Sequence, residues 1–151
     1  MKDKAYFRGK MKIETFKEGE KIRETDWMEN LIVSSTGHGR NLVVRQLAGN
    51  QTYGMEISSA EIGTGTLTPV DATTDLVTPV VTGVDIGNAV VTDDDEVTLS
   101  IFMSDATLPD GTYKEFLLRI GAQAFSAIVI SPNYSKSTGE DSVFTYVITL
   151  T

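Results

Sequence analysis

Apolar and polar residues alternate through Lys10 to Lys17, with Met11, Ile13 and Thr15 on one side and Lys10, Lys12 and Glu14 on the other. A period of two sends successive side chains to opposite faces, so this segment predicts a half-buried β-strand. Glu18-Gly19-Glu20 reads as a hairpin turn, a second strand returns through Ile22 and Thr25 toward Trp27, and Leu31 to Val33 makes a short apolar strand. From Thr36 the period changes. Thr36 is placed to cap a helix, Leu42, Val43, Gln46 and Leu47 fall at helical spacing, and Gly49 stands where a helix end needs positive φ. One helix of about ten residues is expected there.

Strand patterns return after the helix. Glu56 to Ile62 reads as a strand, Pro69 to Leu76 as an irregular segment, and Val77 to Thr92 with Glu96 to Ser104 as a hairpin joined by Asp93-Asp94-Asp95. Along its second strand Val97, Leu99, Ile101 and Met103 share one face, which gives a buried side and a wet one. Pro109-Asp110-Gly111 is a turn, because Pro presets φ and Gly accepts the strained position. Further strands are expected at Tyr113 to Ile120, Ala124 to Ser131 and Val143 to Thr151, with Ser135 to Ser142 as a polar loop. Seven or eight short antiparallel strands and one short helix predict a mainly β chain, an antiparallel β-sandwich of jelly-roll type, with a closed barrel as the alternative. Residues 1–9 are read as an N-terminal arm and residues 10–151 as one sandwich domain, which suits a 151-residue chain.

Composition narrows the function classes. Cysteine is absent, which removes disulfides, thiolate nucleophiles and zinc-thiolate sites together. A net charge of −8 argues against binding nucleic acid, whose phosphates demand clustered Lys and Arg. The charge is uneven, because residues 1–24 hold eight Lys or Arg against five Asp or Glu, a net +3 that leaves −11 on the rest. Such asymmetry suits a basic arm lying on an acidic neighbour, or equally a solvated terminal strand. No apolar run approaches the ~18 residues of a membrane span, and the N-terminus has no apolar signal core. The expectation is a protein made in the cytosol, without a membrane partner.

Catalytic and metal chemistry find little footing. His38 is the single histidine and lies between Gly37 and Gly39, where a turn or cap role outweighs that of a zinc ligand or a triad base. Asp93-Asp94-Asp95-Glu96 gathers four carboxylates but lacks the alternating ligands and the glycine of a calcium loop. Gly63-Thr64-Gly65 lacks the Lys and the following helix of a phosphate-binding loop, so its glycines are read as allowing a tight crossing, with Thr hydroxyls serving backbone groups. No catalytic residue, cofactor site or metal site is therefore assigned. Among aromatic residues, Trp27 is expected in the core, while Tyr6 and Phe7, with Arg8, are expected to contact another subunit. Tyr53, Tyr113 and Tyr134 are the candidates for a third reading, a carbohydrate-binding sandwich.

Ile62-Gly63-Thr64-Gly65-Thr66, followed by Thr68-Pro69 and then Asp75-Leu76, resembles a loop that recurs in small virion proteins of tailed bacteriophages. Trp27, Asn30 to Val33 and the stretch from Gly37 to Gly49 resemble what precedes that loop, so the likeness runs over residues 10–150. The candidate structural loop is Gly63, Thr64, Gly65 and Thr66. The resemblance implies a virion structural protein, expected first as a head decoration or auxiliary capsid protein that binds the major capsid protein as a homo-oligomer, a trimer. A tail, baseplate or fibre-attachment component is the alternative; a fibre would continue into a repetitive shaft, which weakens that branch.

Overall fold

The computed structural model describes residues 7–151. Strand β1 (Phe7–Lys17) keeps the alternation seen in the sequence, with Met11, Ile13 and Thr15 buried. It begins at Phe7, so residues 7–9 of the expected arm belong to the sheet. A turn at Glu18-Gly19 leads to β2 (Glu20–Glu24), followed by four two-residue strands, β3 (Met28–Glu29), β4 (Leu31–Ile32), β5 (Ser34–Ser35) and β6 (His38–Gly39). Helix α1 (Arg40–Leu47) is shorter than expected and no side chain caps it. Thr36 is not its cap; Gly39 occupies that position, and Asn41 Oδ1 accepts the Gly37 N–H instead. Gly49 has the positive φ expected after the helix.

The remaining strands are β7 (Ser59–Gly63), β8 (Pro79–Asp85), β9 (Asn88–Asp93), β10 (Glu96–Met103), β11 (Gly111–Ile120), β12 (Gln123–Lys136) and β13 (Glu140–Leu150). One sheet runs β2-β1-β13-β10-β9, with β3 also paired to β1; the other runs β4-β12-β11-β7-β8. Among the described residues the ladders of both sheets are antiparallel. The two sheets have free outer strands and pack face to face, which makes the fold an antiparallel β-sandwich and not the closed barrel.

The main core lies between the sheets. Met11 and Ile13 from β1, Leu99, Ile101 and Met103 from β10, and Phe144, Tyr146 and Ile148 from β13 meet Ile62, Phe116, Leu118 and Ile128 from the second sheet. Phe116 stacks on Phe144 with ring centroids 5.1 Å apart. Fully burying such a ring or an aliphatic chain contributes about 1.5–3 kcal/mol each.

Two expectations are corrected by the strand layout. Val77 to Thr92 is not one strand: β8 pairs with β7 in the second sheet and β9 pairs with β10 in the first, with the chain crossing between layers at Ile86-Gly87. Ser135 to Ser142 is not simply a polar loop, because Ser135 and Lys136 end β12 and Glu140 to Ser142 begin β13, with Lys136, Glu140 and Ser142 buried. A second apolar cluster lies on the other side of β11. Leu67 and Leu76, from the segment joining β7 to β8, pack with Val33, Leu117, Ala124 and Ala127. Strand β11 is therefore covered on both faces, which explains its apolar run Phe116-Leu117-Leu118.

Candidate functional site

The Gly-Thr loop leaves the end of β7 and crosses a buried carboxylate. Gly63 pairs with Glu115 on β11 on one side and with Pro79 on β8 on the other. The Glu115 side chain, 0% exposed, points into the covering segment and not into the main core. Its Oε1 accepts the Gly65 N–H at 3.0 Å and the Thr78 N–H at 2.7 Å, and its Oε2 accepts the Val77 N–H at 2.8 Å. Three aligned N–H dipoles compensate a charge that would otherwise be costly to bury. The Thr64 N–H adds a 3.0 Å bond to the Thr78 carbonyl.

This clasp explains both glycines. A Cβ on Gly63 would lie 2.3 Å from the Thr78 carbonyl oxygen and 2.5 Å from Glu115 Oε1; one on Gly65 would lie 2.6 Å from Val77 Cβ. The tight crossing expected from the sequence is present, but its chemistry differs. The loop donors are served by Glu115 and not by threonine hydroxyls, since among the described residues the Thr64 and Thr66 hydroxyls make no hydrogen bond. The N–H groups of Gly65, Val77 and Thr78 are already committed, and no helix starts after the loop, so it is no phosphate cradle.

A second fastener holds the far end of the segment. Arg119 on β11 donates through Nε to Glu61 Oε2 at 2.6 Å, through Nη2 to Asp75 Oδ1 at 2.9 Å, and through Nη1 to the Ala122 carbonyl at 3.1 Å. Burial works against the Arg119 cation, yet its hydrogen bonds to Glu61 and Asp75 outweigh that and raise its pKa. The hydrogen bond from Arg119 in turn holds the Asp75 carboxyl below the usual range. Asp75-Leu76 is thus a double anchor, with the carboxylate on Arg119 and Leu76 in the second apolar cluster. Compared with protein-family models, curated proteins and solved structures, the chain matches none.

The N-terminal candidates separate. Tyr6 lies outside the described residues. Phe7 is half-buried in β1 opposite Leu150 and meets Phe125 edge-on, with centroids 6.5 Å apart. Arg8 is exposed on the outer face of the first sheet, opposite Thr149. Trp27 is not core: it is 44% exposed, with Lys10 Nζ 4.5 Å and Lys12 Nζ 5.2 Å from its ring centre. Arg8, Lys10, Trp27, Asn30 and Thr149 line an open cleft of about 700 Å³ there. The sequence held its signal in the outward parity of Lys10 and Lys12, but the indole's place over them required the fold.

The other candidates are occupied structurally. His38 Nδ1 accepts the Ala124 N–H at 2.9 Å, tying β6 to β12. Tyr113 and Tyr134 are buried and Tyr53 is half-buried, so the three tyrosines do not line a sugar groove. The Tyr134 hydroxyl shares hydrogen bonds with Thr15 and Ser142, each at 2.7 Å, bridging the two sheets. Tyr146 bonds Ser126 at 2.7 Å and accepts the Asn30 side-chain amide, and burial pushes its phenol pKa up so that it stays neutral. At the Asp93 to Glu96 tip, the Asp94 N–H goes to Asp93 Oδ1, and Thr92 Oγ1 donates to Glu96 Oε1. No group of three or more potential metal ligands occurs among the described residues.

Proposed function

We propose that this chain is a bacteriophage virion structural protein, a head decoration protein that coats the capsid as a homo-oligomer. The observation that supports the reading is the Gly63–Thr66 loop. Its sequence is the basis of the phage resemblance, and its backbone is fastened at Glu115 while Arg119 holds the far end of the covering segment through Asp75, as suits a part whose role is shape and not turnover. On this reading each copy bridges neighbouring capsid subunits through contacts that are weak singly and strong in number. The net negative charge keeps free copies soluble before docking.

The test is copy number and location. Particles from infected cells are separated into heads and tails, and this protein is counted against the major capsid protein by quantitative mass spectrometry. Hundreds of copies in the head fraction are expected. A few dozen or fewer in the tail fraction would replace decoration with a baseplate or tail role, and absence from particles would overturn the virion reading altogether.

A further inference from the structure

We propose that the open cleft beside Trp27 is a binding site for an acidic saccharide, a short glycan that carries a sugar carboxylate. The proposal is independent of the virion reading, because a chain absent from particles can still bind such a ligand and a chain counted on heads can fail to. The cleft holds about 700 Å³, within the range of small-ligand sites, and admits about two or three sugar rings. Its walls come from the start of β1, from residues 27–30 and from the end of β13.

Two cations in the cleft are uncommitted. Arg8 and Lys10 are exposed on the outer face of β1, and among the described residues neither has an ion pair. Glu29 stands opposite Lys10 in the β1–β3 ladder and is likewise without an ion pair among the described residues. Asn30 donates its side-chain amide to Tyr146. Its Oδ1, packed so close to Gly9 that a Cβ there would collide with it, is buried with no hydrogen-bond partner among the described residues. An open acceptor of this kind calls for a donor from outside the chain. The Lys10 and Lys12 ammonium groups steady the Trp27 indole by cation–π attraction, and the 44% of Trp27 that stays exposed leaves a flat apolar surface at the cleft.

Together these groups match one kind of ligand. The C–H face of a sugar ring is apolar with a slight positive charge, and it stacks on the electron-rich face of an indole. The Arg8 guanidinium takes a carboxylate in a two-pronged hydrogen bond, with Lys10 beside it as a second positive charge. Sugar hydroxyls donate to Glu29 and supply the donor that Asn30 Oδ1 lacks, directly or through a water. Glu29 also weighs against other anions. A run of carboxylates or phosphates would set like charges against it, whereas a ligand with one carboxylate among hydroxyls uses it as an acceptor. The net charge of −8 is no bar to a single negative group, because at physiological salt charges more than about 8 Å away are largely screened.

The single tryptophan lies in the cleft, so the test is titration of the purified full chain followed by Trp27 emission. The probes are sialyllactose and aldotriouronic acid, each with one carboxylate, their neutral counterparts lactose and xylotriose, and triglutamate as an acidic peptide. A saturable change with at least one acidic sugar is expected, and which of the two responds tells a sialic from a uronic acid. The neutral counterpart is expected to bind about tenfold or more weakly, as is the acidic sugar to Arg8→Gln. By calorimetry Trp27→Ala is expected to give no saturable heat, and Ile22→Gln, on β2 outside the cleft, to match wild type. Arg8, Ile22 and Trp27 are all exposed, so the variants keep the fold, which circular dichroism checks. Response to neither acidic sugar, or equal affinity for the neutral ones, would overturn the proposal. So would binding indifferent to Arg8→Gln, and tighter binding of triglutamate would give the cleft to an acidic protein segment instead.

Discussion

Glu115 Oε1 accepts the Gly65 N–H at 3.0 Å, joining a fully buried carboxylate to a loop fifty residues away in sequence. Gln at position 115 retains one acceptor oxygen and turns an NH₂ group toward backbone N–H donors, so at least one buried donor loses its partner. Hydrogen bonds to charged groups contribute about 1.5–3 kcal/mol each. Glu115→Gln is therefore expected to cost about 2–3 kcal/mol, read as a lower urea midpoint with unchanged slope. A midpoint equal to wild type would mean the carboxylate does not hold the loop.

The glycine positions make a sharper test of the same clasp. Gly63→Ala pushes a methyl group against the Thr78 carbonyl and Glu115, and Gly65→Ala pushes one against Val77 and the Thr78 nitrogen. Overpacking of this kind costs about 1–3 kcal/mol. Gly54→Ala, which meets nothing within 4 Å, is the matched control and should stay within about 0.5 kcal/mol of wild type. Equal stability of all three variants in urea would remove the close-approach account of the motif.

Much of the architecture was legible because most strands have one dry face. In β1 and β10 the buried and wet positions alternate along the sequence as they do in the sandwich. The reading failed where alternation carries no information. Strands β8 and β9 are exposed on most positions and uniformly rich in Val and Thr, so the switch between sheets at Ile86-Gly87 left no break in pattern. Trp27 was misplaced because an indole's burial is a tertiary property, and its two lysine partners precede it by seventeen and fifteen residues. For Glu115 the clue was present: a strand reading Phe116-Leu117-Leu118 is dry on both faces, so a carboxylate beside it needs buried donors. Which donors they are depends on the path of the loop.

Acid should weaken the fold in a definite window. The hydrogen bond from Arg23 holds Glu140 below its ordinary pKa, the one from Arg119 does so for Asp75, and hydrogen bonds from Lys136 to Asp105 and first from Thr138 to Asp110 do so for those residues. Carboxyls that titrate lower when folded leave the unfolded chain binding more protons, so stability rises with pH across that window. The contribution is full well above about pH 4, the ordinary carboxylate range, and is lost as pH falls through the depressed folded values. Urea midpoints between about pH 3 and pH 7 should show this fall, and Glu140→Gln should flatten it. A midpoint independent of pH below about 5 would contradict the ion-pair assignments.

Trp27 offers a test that separates a surface aromatic from a core one. Its ring rests on the Lys10 and Lys12 ammonium groups and faces solvent on the rest of its surface, 44% of the residue. A cation–π contact at an exposed site contributes about 0.5–1 kcal/mol, whereas truncating a core indole costs about 3–5 kcal/mol. Trp27→Ala is therefore expected to lower stability by no more than about 1.5 kcal/mol. As the single tryptophan, Trp27 also reports its own environment. Its emission should be red-shifted in the native state, and iodide should quench it more readily than in a Lys10→Glu, Lys12→Glu variant, because the two ammonium groups draw the anion to the ring. Blue-shifted emission that iodide does not reach would return Trp27 to the core and remove the outer cleft as an accessible surface.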